Sequence, residues 1–130
     1  MIHEAELSDN RGEHSRTDRL LLELKLMASF THEPVEIIKI WAFRNRLLIS
    51  NNRLTEAYES CQRLIGFCRG KGFVKAFLLN EQLNIARVQL LCGNHFEALI
   101  VIETVLASAE QYQLTEQFLK ASSMKAGVHL

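Results

Sequence analysis

Three kinds of side chain in this 130-residue sequence have the types and spacing to do chemistry: the cysteines, the histidines and one pair of arginines. The cysteines are Cys61, Cys68 and Cys92, an odd number without a CxxC pair. Cys61 and Cys68 are seven residues apart, on one face of a helix. Small thiols so placed serve as core residues in a reducing compartment. Cys92 and His95 stand three apart, a spacing that metal ligands use, but no second such pair completes a four-ligand set. His3, His14, His32, His95 and His129 are scattered, with no HExxH, and no GxSxG is present. The sequence therefore assigns no catalytic residue, no metal ligand and no cofactor, and a non-enzyme is expected. Arg46 and Arg87 read differently, because a repeat relates them; two adjacent arginines hold a carboxylate or phosphate bidentately.

Helices are the elements that must position these residues. One proline and six glycines are too few for the turns of an all-β fold. Residues 1–15 show no periodicity and read as a disordered tail ahead of one helical domain over 16–130. Leu20, Leu21, Leu24, Met27 and Phe30 recur at three and four, which predicts a capping helix over 17–30 with Thr17 at its start. Pro34 suits the first turn of a second helix that ends at Asn51-Asn52. A third helix is expected over Leu54–Arg69, closed by Gly70 and Gly72. A fourth spans Phe73–Cys92, a fifth Phe96–Tyr112, and a short capping helix 115–126 precedes Gly127. The loops are short, so neighbours run antiparallel. Trp41, Phe73, Phe77 and Phe118 read as core.

Repetition decides the architecture. Asn52-Arg53-Leu54-Thr55-Glu56-Ala57 aligns with Gly93-Asn94-His95-Phe96-Glu97-Ala98. The same offset pairs Arg46 with Arg87, Cys61 with Ile102, Leu64 with Val105 and Cys68 with Ala109. Repeat units over 34–72 and 73–113 follow. Asn52 and Gly93 tolerate positive φ where the first helix of each unit stops. Glu56 and Glu97 lie at the positive end of the second helix. Ala57 and Ala98 are small enough for close helix approach. One hairpin cannot cover its own apolar face, so hairpins must stack.

This pattern resembles the tetratricopeptide repeat, whose turn reads Gly-x-x-x-Glu-Ala, with a longer period. It is most similar to the repeat (sensor) region of bacterial ATP-dependent LuxR-type transcriptional regulators of the maltose-activator class. Arg46-Leu47-Leu48…Glu56-Ala57-Tyr58 and Ala86-Arg87…Leu90…Gly93…Glu97-Ala98-Leu99 carry the likeness. The resemblance implies an all-α, right-handed solenoid of about six helices that binds a protein or peptide, as the sensor or interaction part of such a regulator. The nucleotide-binding loop and the helix-turn-helix of that class have no counterpart here.

In such an array the first helix of each hairpin lines the groove. That places Lys39, Phe43 and Arg46 beside Asn80, Asn84 and Arg87, with the asparagines able to bond a peptide backbone; the alternative is that the arginines pair with neighbouring acids or lie solvated. Cations outnumber acids between Lys39 and Lys75, which suits an acidic partner. A small effector in the same groove and a homodimerisation scaffold, through the open end of the stack, are the other functions weighed. Zero net charge and the lack of a stacking platform argue against nucleic acid. With no apolar run of membrane-spanning length and no signal segment, a soluble cytoplasmic chain without membrane association is expected.

Overall fold

The computed structural model describes the backbone of residues 2–71 and 75–128, and the side chains of residues 15–70 and 75–128. It is all-helical, with no strand among the described residues. The helices are α1 (Ile2–Phe30), α2 (Pro34–Ser50), α3 (Leu54–Lys71), α4 (Lys75–Leu91), α5 (His95–Gln111) and α6 (Thr115–Ala126).

The repeat expected from sequence appears as a repeated burial pattern. Ala57 and Ala98, Cys61 and Ile102, Leu64 and Val105, and Cys68 and Ala109 are all buried. The first members pack α3 on α2 and α4; the second pack α5 on α4 and α6. The turns repeat as well. Asn52 takes φ 60° and Gly93 φ 84°. In both, the amide of that residue donates three residues back, to Ile49 or Leu90. The next amide donates five back, Arg53 to Leu48 and Asn94 to Gln89. This is a Schellman closure, which satisfies carbonyls the ending helix leaves open. A third copy closes α5, where Gln113 takes φ 55° and Leu114 N–H donates to Ala109.

Each helix packs on its sequence neighbours. In addition α4 touches both α2 and α6, whereas the backbones of α1, α3 and α5 do not approach one another closely among the described residues. The even-numbered helices are thus the more closely spaced layer, and the stack curves around them. Grooves open between the odd-numbered helices on the other side.

Several boundaries differ from the sequence reading. The backbone of α1 is helical from Ile2, through the segment read as a tail. That segment carries helix formers such as Glu4, Ala5 and Glu6 but no apolar period, the signal on which the reading relied. Thr17 consequently lies inside α1 and caps nothing; its hydroxyl donates to Asn51 Oδ1 at 3.2 Å. The buried stripe of α1 is Leu21, Leu24 and Ala28, while Met27 and Phe30 are exposed. α1 has a neighbour on one side only, and that side selects the narrower stripe. α3 runs on past Gly70 to Lys71. Gly72 and Phe73 fall outside the described residues. Phe118 is exposed, not core; α6 packs on α5 and α4 through its other face, at Gln117 and Ala121.

Candidate functional site

Two faces of the stack are candidates, and a buried polar cluster lies between them. On the inner layer, Arg46 and Arg87 are both exposed. Each stands two positions from a residue, Arg44 or Ile85, that lines a groove on the opposite side, hence about 200° round its helix. Both arginines therefore project from the concave layer. Lys39 and Phe43 share that face on α2 and are exposed. The guanidinium of Arg46 sits 5.8 Å from the Phe43 ring centroid. Lys39 makes a surface pair with Glu36 at 3.8 Å. Neither arginine forms an ion pair among the described residues.

The two asparagines expected to line this groove both make side-chain hydrogen bonds within the stack. Asn80 is half-buried and accepts from Gln117 Nε2 of α6 at 3.3 Å. Asn84 is buried in the α2–α4 seam. Its Nδ2 donates to Glu81 Oε2 at 3.1 Å, and its Oδ1 accepts from Arg87 at 3.4 Å. Asn84 is thus turned into the seam, while Asn80 is half-buried with its Oδ1 engaged between α4 and α6. Of the repeat-turn residues, Asn52 and Gly93 carry the positive φ, Glu56 and Glu97 occupy first turns, and Ala57 and Ala98 are fully buried.

Glu81 is the residue that sequence reading missed. It is 1% exposed, with Asn45, fully buried, donating Nδ2 to its Oε1 at 2.8 Å. Ser60 of α3 donates its hydroxyl to Asn45 Oδ1. A continuous chain therefore runs Ser60–Asn45–Glu81–Asn84–Arg87, from α3 through α2 to the solvent face of α4. Burial pushes the Glu81 carboxyl above the usual carboxylate range; hydrogen bonds from Asn45, Cys61 and Asn84, and the positive Arg46, pull the other way. The signal was present in the sequence. Asn45 interrupts the buried stripe Ile38–Ala42–Ile49, and Glu81 falls between Leu78 and Ile85 at helical spacing. A polar residue in an apolar stripe implies a buried partner.

The cluster is built for structure. Glu81, Asn45 and Cys61 line none of the cavities described. Burial and the neighbouring Glu81 push the Cys61 thiol far up, and burial with the same carboxylate raises Cys68 to about 11, so neither is a thiolate nucleophile. Cys92 is exposed in the α4–α5 turn. Among the described residues no three His, Cys, Asp or Glu side chains lie close enough to hold a metal ion. No helix of the described residues is long and apolar enough to cross a membrane.

The largest of the cavities described among these residues, about 480 Å³, lies on the outer side, between α1 and α3 over α2. Its floor includes Trp41 and Arg44, and its walls carry Lys25 and Arg63. The sequence reading did not include this groove, which opens where α1 and α3 are splayed apart. Compared with protein-family models, curated proteins and solved structures, the chain matches none.

Proposed function

We propose that this chain is a non-catalytic helical-repeat module that captures an acidic protein or peptide segment on the concave layer of α2 and α4. As the sequence resemblance implies, it would be the sensor or interaction part of a LuxR-type regulator. One observation carries the reading: two repeat-equivalent arginines project from one face, neither within ion-pair distance of a carboxylate among the described residues. Arg46 stacks near exposed Phe43, so cation and apolar surface are presented together, as an acidic segment with an apolar anchor requires. Desolvated polar groups below the arginines are already satisfied, which leaves a rigid platform. The test is capture from host lysate with the Arg46→Glu, Arg87→Glu double variant, against a Lys120→Glu, Lys125→Glu control on α6. Loss of the partner in the first and retention in the second is expected. Equal retention in both variants would remove the concave face from consideration.

A second reading has its own support. α1 exposes Leu22, Leu26, Met27 and Phe30 along its free side, and an open repeat end with an apolar row favours self-association. Light scattering on the wild type and a Leu26→Glu, Phe30→Glu variant decides it. A dimer that becomes monomeric in the variant would make α1 the interface and leave Arg46 and Arg87 for the partner.

A further inference from the structure

The outer groove is polarised along its length. α2 runs antiparallel to α3, so Ile37 and Trp41 on the floor face the later part of α3, where Leu64 lies. Arg44 faces the beginning of α3, where Glu56 lies. Arg44 is already engaged. Its guanidinium stacks 5.1 Å from the Trp41 centroid, its Nε donates to the Leu21 carbonyl at 3.4 Å, and Glu56 answers its charge while burial lowers its pKa. Glu59 stands on a rim shared with the neighbouring groove. That leaves two cations from opposite walls, Lys25 of α1 and Arg63 of α3, both exposed. Among the described residues neither forms an ion pair.

We propose that this groove is a second binding site, for a small amphipathic carboxylate, its head held between Lys25 and Arg63 and its hydrocarbon body laid against Ile37, Trp41 and Leu64. The cavity of about 480 Å³ falls within the range of small-ligand pockets, which are mostly apolar with a few converging polar groups. An arginine fork and a lysine point charge on facing walls recognise one carboxylate from two sides. Aromatic and branched side chains below them give the body an apolar bed. A neutral ligand of the same length would leave the two cations without gain. The site is independent of the concave face, since Lys25, Trp41 and Arg63 project from the opposite side of the stack.

Trp41 is the single tryptophan of the chain and lies in the groove, so its fluorescence reports occupancy directly. The full chain is titrated with sodium octanoate below its micelle concentration and, separately, with 1-octanol. Octanoate should give a saturable change in Trp41 emission, with octanol at least about tenfold weaker. In a Lys25→Gln, Arg63→Gln variant, octanoate should weaken by about tenfold or more while octanol is unaltered, which shows the apolar bed intact. Non-saturating octanoate, equal affinity for the acid and the alcohol, or undiminished octanoate binding by the variant would each overturn the proposal. The wild-type comparison decides the matter even if the variant folds poorly.

Discussion

Replacing Glu81 by leucine is the sharpest perturbation of the buried cluster. Leucine fills a similar volume, so the cavity contribution is small. What changes is the fate of two buried amides. Asn45 Nδ2 loses its acceptor at 2.8 Å, and Asn84 Nδ2 loses its acceptor at 3.1 Å. Each orphaned donor costs about 1–3 kcal/mol, so the pair costs about 2–6 kcal/mol. Relief from burying a carboxyl group returns part of that, leaving a net loss of about 1–4 kcal/mol. Total stabilities of domains are about 5–15 kcal/mol, so the effect is large. The triple variant Asn45→Leu, Glu81→Leu, Asn84→Leu removes the orphaned donors along with the acceptor. Ser60 loses its acceptor but faces the outer groove and reaches water. The triple variant should stand within about 1 kcal/mol of wild type or above it. Urea unfolding followed by far-ultraviolet circular dichroism measures both, with unchanged m-values showing that the comparison is sound. A single variant as stable as wild type, or a triple variant no better than the single, would refute the account of Glu81 as an acceptor shared by two buried donors.

Glu81 also sets a pH dependence. Its folded pKa is raised, so its favourable contribution is present below the ordinary glutamate range and is lost as pH rises through the folded value. The stability of wild type relative to Glu81→Gln should therefore fall as pH rises above the ordinary glutamate range, and a difference independent of pH would contradict it. Gly93→Ala should cost about 1 kcal/mol in urea unfolding from its φ of 84° alone, since open space surrounds the site, whereas Asn52→Gly should change stability by only a few tenths. Thiol labelling of the native protein near pH 8 should be fast at exposed Cys92 alone, with Cys61 and Cys68 reacting at the rate of unfolding; rapid modification of all three would mean the α3 core is open.

Much of this fold was legible because local and tertiary signals agree. Pro34 at the start of α2, Asn52 and Gly93 at the turns, and the paired buried sets from Ala57 and Ala98 to Cys68 and Ala109 all follow from patterns within a few residues of one another. Less legible was anything decided by which neighbour a helix acquires. The exposure of Met27, Phe30 and Phe118 follows from which face of α1 and of α6 is packed, and no periodicity encodes that. Asn80 and Asn84 lie on α4 as expected, yet Asn80 Oδ1 accepts from Gln117 and Asn84 Nδ2 donates to Glu81, partners thirty-seven and three residues away in sequence. The outer groove was invisible for the same reason. It is a space between α1 and α3, two helices whose backbones stand apart.

The buried chain from Ser60 to Arg87 has one further meaning. Its residues are not repeated: the equivalents of Asn45 and Ser60 are Ala86 and Val101, and the corresponding α4–α6 seam is joined instead by one neutral amide pair, Gln117 to Asn80. A carboxylate that must meet one particular amide fixes how far α4 slides along α2, because a slip of one turn would strand both in hydrocarbon. The α4–α6 seam holds a different pair, an amide on a half-buried amide, with no carboxylate. The two junctions are thus not interchangeable parts, and the order of the hairpins along the chain is written into their interior as an address, legible only to the right neighbour.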